Sequence, residues 1–336
     1  MTNDYFYPMP DFLRLIRLPN LLIMAFTQYM VRWFLLFPMI DLKRSDLGYS
    51  LLSVQMTEQD FFLLVLSTMM IGAAGYIIND YFDVRIDEVN RPATNVVGKT
   101  IRRRVAMVAH MALNIIGVGI GLWLSWKYGM LRAGAILYIT VPALLWFYST
   151  NLKRQFLIGN LVIAFLSALV PLVVVLFEIP AIYRAFPDLV RGGYLVLTDV
   201  LNITLGIAAF AFVVSLLREI IKDTEDYEGD LAYGCKTLPI VLGIAPAKYV
   251  MTGLIFIVIG VLGWLQFLQL QAEDWLSFSW FMLLLQLPFV YLAFRIFTAT
   301  RKSDWRFSSL LLKLIMIAGI SYLFVYEHEI RQLIES

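Results

Sequence analysis

Nine separate runs of apolar residues, each long enough to cross a bilayer, leave this chain few ways to fold. A hydrocarbon core of about 30 Å takes roughly 20 apolar residues per spanning helix. Such runs lie at 20–40, 61–79, 104–125, 130–147, 157–177, 198–217, 249–271, 276–296 and 308–326. Charged residues make up only 15% of the 336, hydrophobic residues 60%, and the mean hydropathy is +0.76, whereas soluble domains carry about 25% charged residues. Backbone polar groups in lipid are satisfied only within helices or closed barrels, and the short alternating segments of a barrel are absent. The expected fold is an all-α polytopic membrane bundle of nine transmembrane helices, one domain over residues 1–336. Residues 1–19 are expected to form an interfacial segment, because Phe12, Leu13, Leu15, Ile16 and Leu18 alternate with Arg14 and Arg17. No secretory-peptide pattern precedes the first run, which is expected to be retained.

Against this apolar background stand two acidic triplets of identical spacing, Asp80-x-x-Asp83-x-x-x-Asp87 and Asp223-x-x-Asp226-x-x-x-Asp230, each following a long apolar run. Offsets of three and seven place the carboxylates of a triplet on one helix face, where they repel unless a cation sits among them. Carboxylate oxygens select hard cations. Mg²⁺ in particular keeps several waters and is usually shared between one or two carboxylates and a substrate's phosphates. The triplets therefore read as a site for a diphosphate held through Mg²⁺ at a membrane surface. Asn79, four residues before Asp83, adds a carbonyl ligand to the first. In the second segment, Arg218 and Lys222 are helix neighbours placed to meet phosphate oxygens, while the interspersed Glu residues are expected to lie off the shared face in solvent. A Ca²⁺-binding loop is excluded by the missing alternating ligands and closing Glu.

Charge is distributed unevenly. With nine spans, the N-terminal flank and the even-numbered connections carry 18 Lys and Arg, the opposite side 7, and Arg32 and Lys313 fall within spans. The positive-inside rule then puts the N-terminus and both triplets on the cytoplasmic side of the cell (inner) membrane. The single cysteine, Cys235, permits no internal disulfide, and its place after the second triplet offers a native probe of sidedness.

With the turn Tyr148-Ser-Thr-Asn-Leu-Lys153-Arg154 added, the chain resembles the UbiA-type superfamily of intramembrane prenyltransferases over roughly residues 10–325. Asn79, Asp80, Asp83 and Asp87 match its first motif, Asp223, Asp226 and Asp230 its second, and Tyr148 and Lys153 its Tyr-x-x-x-x-Lys turn. The resemblance implies that the acidic motifs, with Asn79, hold Mg²⁺ and a prenyl diphosphate across a cavity near the cytoplasmic surface. Its phosphates would meet Arg91, Tyr148, Lys153, Arg154, Arg218 and Lys222, with Asp83, Asp226 and Lys153 carrying the catalytic step. The stretch Arg218–Asp230 and the ending Asn90-Arg91-Pro92 resemble most the geranylgeranylglyceryl phosphate geranylgeranyltransferases of ether-lipid synthesis. Chlorophyll synthases and homogentisate prenyltransferases share part of the pattern, which keeps chlorin and aromatic acceptors open. The implied partners are a prenyl diphosphate, a lipophilic acceptor and the bilayer, with no nucleic acid.

Two rivals fit less well. Acids at membrane ends also mark ion pathways, but a cation transporter does not account for the Lys and Arg among them. An alcohol phosphatidyltransferase would show an Asp-Gly signature with a downstream Ala-Arg, which is missing. His110 reads as a hydrogen-bonded structural residue. Arg32 and Lys313 either snorkel or pair inside the bundle.

Overall fold

A computed structural model describes residues 9–90 and 96–335. Among these, nine helices are long and apolar enough to cross a membrane: Leu18–Leu47, Glu58–Asn90, Arg103–Lys127, Leu131–Thr150, Ile158–Ala185, Thr198–Glu225, Ile244–Gln271, Trp275–Thr298 and Lys302–Glu335. The protein is a multi-pass, all-helical membrane protein. Each helix overlies one apolar run of the sequence, and most extend several residues beyond it. Large side chains such as Ile115, Ile136, Phe256, Trp264 and Phe294 stand exposed on the spans, as a lipid-facing surface requires.

The chain divides into two compact units. The first takes the residues up to Phe26, then Met56–Gly159 and Glu228–Lys236. Its frame is the close pairing of the second spanning helix, Glu58–Asn90, with the third, Arg103–Lys127. Lipid gives helices no hydrophobic drive to associate, so they pack through small residues and interhelical hydrogen bonds. Ser67 donates to the Gly117 carbonyl at 2.6 Å, and a Cβ on Gly117 would stand only 3.0 Å from Ile71 and 3.2 Å from the Ser67 oxygen. His110 joins the same pair, its Nδ1 2.9 Å from the Ala74 carbonyl; as expected, it is hydrogen-bonded inside the bundle. At one end of this pair Leu15, Ile77, Val96, Val97, Ile101 and Ala106 form a buried cluster. Leu15 belongs to the short helix Met9–Leu15 and is 1% exposed, and Phe12 and Ile16 pack on the cluster as well. The apolar side expected to lie in the interface is thus covered by protein at these positions.

The second unit comprises Thr27–Gln55, Asn160–Tyr227 and the chain from Thr237 onward. Arg32 resolves here as an internal pair: its Nη1 lies 3.1 Å from Glu178 Oε2, and both side chains are fully buried. The Gln55 N–H donates to the other Glu178 oxygen. The segments Arg32–Leu36 and Phe281–Gln286 are π-helical and run directly into Pro38 and Pro288. Proline removes an N–H from the helical ladder and clashes with the preceding turn, and a widened turn relieves that crowding.

Candidate active site

The second spanning helix has 33 residues, about 50 Å at 1.5 Å per residue, far more than the hydrocarbon core needs. Its excess length carries the first acidic motif out of the apolar run. Asn79 and Asp83, one turn apart, share a single cation: Lys153 Nζ lies 2.6 Å from Asp83 Oδ1 and 3.1 Å from Asn79 Oδ1. Asp80 takes a different one. Arg17 Nη2 reaches its Oδ1 at 2.8 Å, with the guanidinium lying over Tyr76, 4.9 Å from the ring centre. Asn20 donates to the Tyr76 hydroxyl at 3.3 Å. Arg17 has a left-handed φ of 51°, a break between the helices starting at Met9 and Leu18. Asp87 is half-buried one turn further on, and Arg85 is exposed.

Lys153 and Arg154 stand on a tight turn, Leu152–Arg154, following the fourth spanning helix, in which Tyr148 is half-buried. The chain doubles back closely: a Cβ on Gly159 would stand 2.6 Å from the Lys153 Cα, so this close approach requires glycine. The Arg154 carbonyl accepts the Lys236 N–H at 2.8 Å, which ties the turn to the segment containing Asp230. Between these groups lies Cys235, 6% exposed. Burial pushes its thiol up to about 11, helped by the negative charge of Asp230; Arg154, Asp83 and Lys153 also act on it. The charges of four motif residues thus act on one buried sulfur.

In the second unit, the helix Thr198–Glu225 ends in the second motif. Asp223 accepts a hydrogen bond from Asn160 at 2.7 Å, and half-buried Asp226 caps the helix through its N–H to the Lys222 carbonyl at 2.8 Å. Two of the three interspersed glutamates correct the sequence expectation, while Glu228 is exposed as expected. Glu219 is 8% exposed and holds both neighbouring cations, with Lys222 Nζ at 2.8 Å and Arg218 Nη1 at 3.4 Å from its Oε1. Glu225 pairs with Arg306 at 3.3 Å. Both were expected in solvent; the buried turn of the helix turns them inward, where each meets a cation. Arg91 lies outside the described residues.

The donor set suits Mg²⁺. It consists of oxygen atoms only, from Asn79, Asp80 and Asp83, with Lys153 paired to Asp83 and Arg17 to Asp80. No group of three or more His, Cys, Asp or Glu capable of holding a metal gathers among the described residues; an Mg²⁺ held here would take much of its shell from water and phosphate oxygens, as that ion does elsewhere.

The sequence profile of the UbiA prenyltransferase family matches residues 48–318. The chain belongs to that family. Among the relatives of this UbiA prenyltransferase, the digeranylgeranylglyceryl phosphate synthase of Thermococcus kodakarensis is 31% identical over 264 residues, 78% of this chain and 84% of that one. The enzyme of the same name from Thermococcus sibiricus is 36% identical over 184 residues, 54% of this chain and 55% of that one. A UbiA homologue from Archaeoglobus fulgidus, solved with GPP and Mg²⁺ bound, has the same fold, with a TM-score of 0.55 and 17% identity over 93% of this chain and 99% of the other.

Arg17, Asn160, Glu219 and the contacts of Cys235 escape sequence reasoning. Arg17 is visible as a charge in an apolar segment, which is also how an interfacial helix looks. For Asn160 no local signal exists.

Proposed function

We propose that this UbiA prenyltransferase transfers the geranylgeranyl group of geranylgeranyl diphosphate to the free hydroxyl of geranylgeranylglyceryl phosphate, forming an ether lipid. The observation that carries this reading is the Lys153 ammonium seated on both Asn79 and Asp83, a cation ready to pass from carboxylate to phosphate oxygen. The names of the Thermococcus relatives and the wording of Arg218–Asp230 support the acceptor. Mg²⁺, when bound by Asn79, Asp80, Asp83 and by the acids of the second motif, supplies positive charge that offsets the charge of the departing diphosphate. The protein's own contribution is electrostatic and prearranged. Lys153 and Arg154 meet phosphate oxygens from one turn, and Glu219 holds Arg218 and Lys222 in place for the same task. The allylic carbon–oxygen bond breaks with its electrons on the diphosphate, and the acceptor hydroxyl oxygen attacks the resulting cation, giving up its proton to the departed diphosphate. Water would capture that cation, so the apolar spans must keep the pocket dry.

An acceptor carrying a phosphate needs its own positive contact. Arg17, Arg154, Arg218 and Lys222 exceed what one diphosphate requires, and a guanidinium grips phosphate bidentately. The reaction side is cytoplasmic, with the N-terminus on that side, supported by the excess of 18 Lys and Arg over 7. The test is competition in one tube: purified protein, geranylgeranyl diphosphate, geranylgeranylglyceryl phosphate, 4-hydroxybenzoate and homogentisate, with products identified by mass. Preferential prenylation of an aromatic ring defeats the ether-lipid assignment.

A further inference from the structure

The last residue of the Glu58–Asn90 helix is uncharged and belongs to neither acidic triplet, yet Asn90 is 6% exposed and its side chain makes a long-range contact. Its Oδ1 accepts the Gly229 N–H at 3.0 Å, and a Cβ built on Gly229 would stand 2.4 Å from that oxygen. Gly229 is the third residue of the short helix Tyr227–Ala232. An N–H in the first turn of a helix has no partner within it, so Asn90 acts from another element as an N-cap acts from its own. Asp230 follows immediately. Its carbonyl accepts the Cys235 N–H at 2.9 Å, and the Lys236 N–H then bonds to Arg154. The segment 228–236 is therefore fastened in front to the end of the first motif helix and behind to the Lys153–Arg154 turn.

We infer that Asn90 is a positioning residue that sets the register of Asp230 against the first acidic triplet, with Gly229 as its required counterpart. The inference rests on the reading of Asp230 as part of the diphosphate and Mg²⁺ site. A side chain that merely capped a surface helix would stabilise the segment without affecting metal or diphosphate use.

The test uses the full-length protein and two readouts, the rate at which maleimide labels buried Cys235 and the Mg²⁺ concentration giving half-maximal prenyl transfer. Losing a buried hydrogen-bond partner costs about 1–3 kcal/mol, so Asn90→Ala should speed Cys235 labelling by roughly tenfold or more, and raise the half-saturating Mg²⁺ several-fold. Asn90→Asp retains an acceptor and should label close to the wild-type rate. Should Asn90→Ala fail to fold, Gly229→Ala approaches from the other side: its methyl group displaces the Asn90 amide and should reproduce both effects. The double variant removes that clash, and its labelling should be no faster than that of Asn90→Ala alone, a non-additivity expected only of residues in contact. Wild-type labelling in Asn90→Ala overturns the inference. So does faster labelling with unchanged Mg²⁺ dependence, which would reduce Asn90 to an anchor. A wild-type protein that prenylates no acceptor would instead overturn the functional reading, while the labelling comparison still reports on Asn90.

Discussion

A single ammonium, Lys153, serves two motif oxygens, Asn79 Oδ1 and Asp83 Oδ1, so each of these residues depends on the others. Removing the charge of Asp83 frees Lys153 to relax onto Asn79 and takes one carboxylate from the proposed Mg²⁺ site. Asp83→Asn should lower kcat by about 10²-fold or more, the scale for losing one prearranged charge-stabilising group, and Asp226→Asn should do likewise. Steady-state kinetics check both, and wild-type turnover in either variant would contradict the assignment of that motif. The Arg32–Glu178 pair behaves differently because neither side chain touches solvent. Arg32→Met strands a buried carboxylate, which costs about 3–5 kcal/mol. The paired change Arg32→Met with Glu178→Leu should recover most of that loss in thermal unfolding, since a well-packed apolar pair replaces such ions with little penalty. Neither partner was legible as a pair. Arg32 stood out as a charge in a span, but Glu178 lies 146 positions away, and no local pattern encodes that distance. The first acidic triplet was legible because it lies within one helix, Glu58–Asn90, where spacing alone determines the face; the second departs from the one-face expectation, because its helix ends at Glu225, Asp226 is the cap and Asp230 belongs to the next short helix, Tyr227–Ala232.

Among the elements, the spanning helices match the apolar runs well in number and poorly in length. An apolar window detects only the part of a helix that lipid selects, whereas the hydrogen-bonded ladder continues as far as the backbone permits. That is why the run at 61–79 became the helix Glu58–Asn90, with both Asn79 and Asp87 still helical. The turn after the fourth span shows the opposite limit. Lys153 and Arg154 were expected there, but the glycine that makes their approach possible, Gly159, carried no signal of its own. Gly159→Ala places a methyl group against the Lys153 backbone, 2.6 Å from its Cα. The turn must move, so kcat should fall by roughly tenfold, the cost of misplacing a group near the chemistry by a fraction of an ångström. Membrane insertion should be unchanged, and equal activity in Gly159→Ala would show that the turn tolerates displacement.

At the scale of the whole molecule, sidedness is the property most open to direct measurement. Cys235 looked like a ready probe, but it is buried and its thiol is pushed up to about 11, so little thiolate exists near neutral pH to react. Exposed Lys236 is the better site. Lys236→Cys in a Cys235→Ser background should react with an impermeant maleimide only after the membrane is opened, and labelling of intact cells would reverse the orientation. Burial of a particular cysteine was not legible, because the same short loop sequence serves whether or not the chain folds back over it. The ion pairs of the first motif have one more effect. Because Lys153 and Arg17 already pair with Asp83 and Asp80, Mg²⁺ taken up at the proposed site would enter by ion exchange, an incoming cation displacing resident ones, rather than by filling a repulsive acidic hole. Fold and cofactor are then decoupled. Chelation should abolish turnover yet leave the melting temperature nearly unmoved, the enzyme persisting through metal scarcity as an intact, idle reserve.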